Sequence, residues 1–149
     1  PDIVVDSEQW RLLGSRLCLE NMDQRKPVGR TVSEMELMFR RLPDASFCFD
    51  IGHARQVDPT MGIAMGLLQR FQSRLRQIHI SEVDPHGKHI AIGFAALCGF
   101  RRVAKLIPDE CPVIIESMVG PGELQNELQV ALQALTTEAP AENLPAAAL

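Results

Sequence analysis

Short apolar runs separated by longer amphipathic segments form the basic pattern of this chain. Each run spans about five residues, which is too short for a typical helix and favours a buried strand. The four predicted strands are Arg16–Glu20, Ser46–Asp50, Arg76–Ile80 and Pro112–Glu116. They are predicted to be apolar on both faces, which is typical of parallel strands that helices cover.

The segments between the strands have the apolar spacing of amphipathic helices. Thr31 and Glu34 form a capping-box sequence at the start of one helix, and Pro43 ends that helix. The predicted helices are an incoming segment at Trp10–Leu13, one from Thr31 to Pro43, one that starts at Asp58-Pro59, one over Phe94–Ile107 and one from about Pro121. The last helix is expected to bury an apolar face of Leu124, Leu128, Ala131, Leu132 and Leu135.

Strands and helices therefore alternate along the chain, with strand spacings close to the roughly 30 residues of a βαβ unit. This alternation predicts an α/β fold with a parallel sheet. An eight-unit TIM barrel needs about 250 residues, so four (β/α) units correspond to half a barrel. A small doubly wound open sheet is the alternative, although the glycine fingerprint of dinucleotide folds is absent. We expect one domain over residues 1–137 and a disordered Ala/Pro-rich tail over residues 138–149.

Composition narrows the class of protein. The chain has 149 residues, 46% of them hydrophobic and 23% charged, which is ordinary for a globular protein and argues against disorder. No run approaches the roughly 18 apolar residues of a membrane helix. The net charge of −4 argues against a dedicated nucleic-acid binder.

The cysteines indicate a reducing compartment. The chain has four cysteines, Cys18, Cys48, Cys98 and Cys111. No two of them form a C-x-x-C pair, so a zinc knuckle is not expected. Because no secretory pattern precedes them, we expect free thiols and a cytoplasmic protein. Cys18 and Cys48 each precede an acidic residue by two positions, so each shares a strand face with that acid. Free cysteine is among the most buried residue types, so these two are predicted to be small packing residues of the core.

Chemically useful side chains stand at the ends of the four predicted strands: Glu20, Asp50, His79 and Glu116. In parallel α/β folds the carboxyl ends of the strands build the functional site. One acid at such a position is usually a helix cap, but four successive strand ends are less easily explained as caps. Several buried carboxylates repel one another unless a cation is present. The set therefore predicts a divalent metal site for Mn, Mg, Co or Zn.

Four segments resemble strands five to eight of the xylose-isomerase-like TIM barrel superfamily. They are LCLENM, FCFDIGHA, QIHISEVD and VIIESMV, and the resemblance runs from about Pro1 to Val119. That superfamily includes sugar phosphate isomerases and epimerases, and the AP endonuclease family 2 related to endonuclease IV. The resemblance implies that this chain is the C-terminal half of such a barrel.

The resemblance also implies roles for particular residues. It assigns the metal to Glu20, Asp50, His79 and Glu116. His53 would bind substrate or a second metal, and His89 matches the histidine of a D-x-H motif in the endonuclease branch, where this chain has Gly87 in place of the aspartate. Lys88 is a candidate for a substrate phosphate or carboxylate, with a merely solvated loop lysine as the alternative.

The first expected function, implied by the resemblance, is a metal-dependent isomerase or epimerase of a sugar or sugar phosphate. Moving a proton alpha to a carbonyl requires an electrophile at the oxygen and a base at the carbon. Glu20 and Glu116 stand at opposite ends of the four-strand arc, so we expect them to be the catalytic proton-transfer pair. The expected partner is a small carbohydrate.

Two alternatives stay open. A phosphodiester hydrolase of the endonuclease IV type would need a basic DNA groove, yet the arginines fall on predicted helices at Arg70, Arg74, Arg101 and Arg102. A non-catalytic partial barrel is the second alternative. Its open sheet edges would favour pairing with an N-terminal barrel half or with another copy in a homo-oligomer.

Overall fold

The computed structural model describes residues 7–136, which alternate between strands and helices. The helices are α1 (Ser7–Arg11), α2 (Val32–Arg41), α3 (Ile51–Val57), α4 (Gly62–Phe71), α5 (Phe94–Arg101) and α6 (Leu124–Leu135). The strands are β1 (Cys18–Glu20), β2 (Ser46–Asp50), β3 (Leu75–Ile80), β4 (Glu82–Val83), β5 (His89–Ile90) and β6 (Val113–Ile115). The predicted tail over residues 138–149 lies outside the described residues.

The four predicted strands form one parallel sheet in the order β1-β2-β3-β6. The predicted α/β class with parallel (β/α) units is therefore confirmed, and the assignment of these units to half of a TIM barrel stays a prediction. The strand β6 is shorter than predicted, and Glu116 follows its end. A short antiparallel ribbon of β4 and β5 was not predicted, and it follows directly after β3.

The helices bury one face of this sheet. Phe47, Phe49, Ile78 and Ile80 join a core with apolar side chains of the helices, and each is fully shielded from solvent. Because side chains alternate along a strand, the residues between them lie on the opposite face. That face carries polar and chemically reactive side chains, so the prediction of strands apolar on both faces is wrong.

The sequence signals for α2 are confirmed at the level of individual hydrogen bonds. The Glu34 amide donates to Thr31 Oγ1 at 3.3 Å, and the Thr31 amide donates to the Glu34 carboxylate at 3.2 Å. The helix ends at Arg41, shortly before Pro43. Helix α5 ends at Arg101, earlier than predicted, and a separate short 3-10 turn follows it.

Helix α4 begins at Gly62, later than the start predicted from the Asp58-Pro59 pair. The Asp58 carboxylate first closes a turn by accepting hydrogen bonds from Thr60, and it then accepts the amide of Ile63 at 2.9 Å. Asp58 therefore still caps this helix, but through a turn of several residues.

Helix α6 presents a different side to the core than its leucines predict. Leu124, Leu128 and Leu132 are exposed, whereas Glu127, Ala131 and Ala134 are buried. The carboxylate of Glu127 accepts the amide of Ile92 at 3.0 Å and the hydroxyl of Ser117. The buried amide of Ile92 needs an acceptor, and Ser117 donates to the same carboxylate. These two hydrogen bonds fix the rotation of α6 and leave the leucines outside.

None of the helices within residues 7–136 is both long enough and apolar enough to cross a membrane.

Candidate functional site

The register of the parallel strands brings the predicted metal residues to the same end of the sheet. Asp50 on β2 lies directly opposite His79 on β3. Glu20 pairs with Cys48 and so starts two residues below Asp50, while the amide of Glu116 donates to Ile80 O at 3.0 Å, above the level of His79. The two residues that must reach across this offset are glutamates, which have the longer side chain.

The side chains of the other three residues lie around the imidazole of His79. Its Nδ1 lies 3.0 Å from Glu116 Oε1 and 3.6 Å from Glu20 Oε2. Asp50, His79 and Glu116 each offer a ligand atom within 4.8 Å of the others. The side chain of Asp50 is fully buried, whereas those of Glu20 and Glu116 are 26% and 31% exposed. The buried centre of the cluster is therefore flanked by two accessible acids.

Two atoms at this centre are buried and find no hydrogen-bond partner among residues 7–136. They are Asp50 Oδ2 and His79 Nδ1. The other oxygen of Asp50 is occupied, because Oδ1 accepts the amide of His53 at 2.6 Å and caps α3. A buried oxygen and a buried imidazole nitrogen without hydrogen bonds are costly unless a ligand satisfies them. The donor set of oxygens with one imidazole nitrogen fits a divalent cation.

The electrostatics of the cluster also favour a cation. Burial raises the pKa of Asp50 to about 7, with Glu20 and Glu116 adding repulsion and His53 opposing the rise. Burial alone would lower the pKa of His53, but its hydrogen bond to Glu20 and the charge of Asp50 raise that pKa to about 9. A bound cation would supply the positive charge that these carboxylates lack.

His53 and His89 form a second layer of the site. His53 Nδ1 lies 3.0 Å from the backbone oxygen of Asn21, 3.2 Å from Glu20 Oε1 and 3.5 Å from Asp50 Oδ2. The rings of His53 and His89 meet edge to face, with centroids 5.2 Å apart. Asp50, His53 and His89 offer three ligand atoms within 4.8 Å of one another.

His89 also approaches the carboxylates from the short ribbon. Its Nδ1 lies 2.7 Å from the hydroxyl of Ser81 and 3.4 Å from Glu116 Oε2. Strand β5, which carries His89, pairs with β4 directly after β3. The ribbon therefore folds this histidine back over the end of the sheet.

Lys88 is not brought into this cluster. Its side chain is exposed, and its backbone amide donates to Asp84 Oδ1 at 2.9 Å within a turn. Within residues 7–136 its ammonium group makes no ion pair. The neighbouring residue His89 occupies the inward position of the ribbon instead.

Sequence reasoning missed the residue that clamps Asp50. The side chain of Asn21 is fully buried; its Nδ2 donates to Asp50 O at 2.8 Å and its Oδ1 accepts the Asp50 amide at 2.9 Å. Asn21 thus links the end of β1 to the end of β2 by both ends of one amide. The only signal was its place next to Glu20 in the LCLENM segment.

Cys48 and Gln77 were also missed as parts of the site. Cys48 is buried, as predicted for a packing residue, but its thiol lies on the site face within 4.8 Å of ligand atoms of Glu20 and His79. Burial raises the pKa of this thiol to about 12. Cys98 is exposed, and all four cysteines are free thiols, as expected.

No protein-family model matches this chain, and no curated protein sequence matches it.

Proposed function

We propose that this chain carries the metal site of a divalent-metal-dependent isomerase or epimerase that acts on a sugar or sugar phosphate. The observation that carries the proposal is the convergence of Asp50, His79 and Glu116 within 4.8 Å, with Glu20 beside them, at the ends of successive parallel strands. The two buried atoms without hydrogen bonds, on Asp50 and His79, support a cation there.

The proposed ligands are Glu20, Asp50, His79 and Glu116. When bound, the cation would act as a Lewis acid on the carbonyl and hydroxyl oxygens of the substrate. Manganese, magnesium, cobalt and zinc all accept this set of oxygens and one nitrogen.

The proposed proton-transfer residues are Glu20 and Glu116. Both side chains are partly exposed and flank His79 from different strands, whereas Asp50 is fully buried and out of reach of a substrate. One carboxylate would remove the proton alpha to the carbonyl, and the other would return a proton to the adjacent carbon or to the opposite face. His53 and His89 lie beside the carboxylates and would bind substrate hydroxyls, His89 more readily because its side chain is 24% exposed against 9% for His53.

The test combines metal binding with proton exchange on the full chain. Calorimetric titration with Mn²⁺, Co²⁺ and Zn²⁺ is expected to find one tight site, and the double variant Asp50→Ala, His79→Ala is expected to lose it. Exchange of a carbon-bound proton with deuterated water is then followed by NMR on a panel of ketoses. Glu116→Gln is expected to keep most of the metal and to lose about 10²–10⁴-fold in exchange rate, the usual contribution of a general acid or base.

Glu110→Gln is the matched control, because Glu110 is exposed and lies away from the site. Unchanged metal binding in the double variant contradicts the ligand assignment. Wild-type exchange in both Glu20→Gln and Glu116→Gln contradicts the proton-transfer roles. Absence of exchange on every sugar by the metal-loaded chain counts against the isomerase itself.

One observation favours a second candidate, a phosphodiester hydrolase of the endonuclease IV type. Asp50, His53 and His89 form a second group of potential ligands beside the first, and several metal ions acting together suit phosphodiester hydrolysis. Two tight zinc sites, together with steeply salt-dependent binding of abasic duplex DNA, would promote this candidate. The helix-borne arginines count against it, since Arg70 is exposed and pairs with Glu36, and Arg101 bonds to a backbone oxygen of α6.

A further inference from the structure

Beneath the carboxylates, the site face of the sheet carries an amide and a thiol. Gln77 precedes His79 by two residues on β3, so both side chains point to the same face. Cys48 is the partner of Gln77 across the sheet. The amide end of Gln77 contacts both neighbours, with its Nε2 2.9 Å from His79 Nε2 and 3.4 Å from Cys48 Sγ.

Each nitrogen of the His79 imidazole therefore has polar neighbours, but among the described residues only Nε2 lies within a hydrogen bond of one. Nδ1 faces Glu116 and Glu20, and Nε2 faces the amide of Gln77. A neutral imidazole has one N–H and one acceptor nitrogen. In the metal-free protein the proton belongs on Nδ1, beside the carboxylates, because Nε2 then accepts a hydrogen from the Gln77 amide.

A cation held by Asp50, His79 and Glu116 would reverse this arrangement. It would take the lone pair of Nδ1, the nitrogen nearest to Glu116, and the ring proton would then be on Nε2. That N–H needs an acceptor at the place where Gln77 presents its amide. A rotation of about 180° about the last side-chain bond of Gln77 puts the amide oxygen there, since the two ends of a carboxamide have nearly the same shape.

We propose that Gln77 is a positioning residue that holds His79 through Nε2 and reverses the direction of that hydrogen bond when a divalent cation binds Nδ1. The inference rests on the metal site of the proposed function. The hydrogen bond between Gln77 and the Cys48 thiol reverses at the same time, because a thiol can weakly donate as well as accept. In this exchange Nδ1 releases its proton to solvent and Nε2 takes one from solvent.

The chemistry of the alternatives explains why glutamine suits this position. A leucine would neither donate nor accept, and a glutamate carboxylate would only accept. Partners that orient a metal-binding histidine through its second nitrogen commonly change metal affinity by about 10–100-fold when they are replaced. Gln77 differs from a fixed partner of this kind, because it can pair with Nε2 both with and without the cation.

The test is ¹⁵N NMR of the His79 ring in the full chain, first with a chelator and then with Zn²⁺ added. We expect Nδ1 to carry the proton in the chelated protein and Nε2 to carry it in the zinc-loaded protein. Gln77→Glu, which only accepts, is expected to put a proton on Nε2 even without zinc. Gln77→Leu is expected to bind Zn²⁺ about 10–100-fold more weakly than the wild type.

Gln129→Leu is the matched control, because Gln129 is exposed on α6, and it is expected to behave as the wild type. Thermal melting monitors folding of each variant, and Gln77→Glu decides the question if Gln77→Leu does not fold. The inference is overturned if the wild type binds zinc but the proton stays on the same nitrogen of His79. It is also overturned if the ring spectrum of Gln77→Glu equals that of the wild type. Either result leaves the metal site itself unaffected. No zinc binding by the wild type overturns both.

Discussion

At the scale of single residues, the two carboxylate oxygens of Asp50 differ in their roles. Its Oδ1 caps α3 by accepting the amide of His53, and its Oδ2 is buried without a hydrogen bond. The cap explains why an acid stands at this strand end, but it uses only one of the two oxygens. The second oxygen is what distinguishes Asp50 from an ordinary helix cap.

The pKa values of Asp50 and His53 predict how the stability of the chelated protein depends on pH. Burial raises the pKa of Asp50 to about 7, from about 3.9 in the unfolded chain. The contribution of this carboxyl to the free energy of unfolding therefore falls as the pH rises from about 4 to 7. The hydrogen bond to Glu20 and the charge of Asp50 outweigh burial and raise the pKa of His53 to about 9. The stabilising contribution of His53 to folding is fully present below about pH 6.5 and is lost as the pH rises to about 9.

Urea unfolding of the chelated protein should therefore give a free energy of unfolding that falls between about pH 4 and pH 9. Asp50→Asn removes the titrating carboxyl and should flatten the curve between about pH 4 and 7. An increase of stability over this window in the wild type, or an unchanged slope in Asp50→Asn, would show that the buried carboxyl does not dominate.

At the scale of elements, the site depends on how closely α3 approaches the strand that carries His79. This short helix was not predicted, because its seven residues follow β2 directly and show no apolar stripe of several turns. A Cβ at Gly52 would clash with the backbone oxygen of Ser81 and would come within 2.9 Å of Val83. Only glycine therefore allows α3 to lie this close to the end of β3, with Asp50 and His53 over the site.

Gly52→Ala is expected to lower the free energy of unfolding by about 1–3 kcal/mol, the usual cost of overpacking, and to weaken zinc binding. The backbone of Ser81 cannot rotate away as a flexible side chain would. Gly122→Ala is the matched control, because nothing lies within 4 Å of a Cβ there. Urea unfolding and calorimetric zinc titration measure both effects, and equal values for the two variants would disprove the close-approach argument.

At the scale of the whole molecule, apolar surface lies beside an open edge of the sheet. Within the described residues β6 has a partner on one side alone, and Val113 on this strand is 42% exposed. Leu132 on α6 is 51% exposed and, with Val113, lines a groove of about 350 Å³. Open edges next to exposed apolar side chains favour association between chains.

We expect the average mass of the chain in analytical ultracentrifugation to rise with concentration, and Leu132→Glu to reduce that rise. The introduced charge would have to be buried in any contact made through the groove. Leu37→Glu is the matched control, because Leu37 is 53% exposed on α2, a helix that does not line the groove. An equal reduction in both variants would show that the effect comes from net charge rather than from this surface.

The local signals in the sequence determined the strands, the capping box of α2 and the parallel α/β class. These features depend on apolar runs, helical spacing and hydrogen bonds between residues a few positions apart, as between Thr31 and Glu34. The positions of Glu20, Asp50, His79 and Glu116 at strand ends were evident for the same reason. Parallel strands bring their carboxyl ends together whatever the length of the connections between them.

Only the tertiary structure decided which other residues join the site and which side of each element is buried. Asn21 clamps Asp50, and Gln77 contacts His79 and Cys48, because of strand register, which no local pattern encodes. The hydrogen bonds that Ile92 and Ser117 donate to Glu127 set the orientation of helix α6, and its leucines stay exposed as a result. Hydrogen-bond satisfaction between segments distant in sequence therefore set the details of the site, whereas periodicity along the chain set its framework.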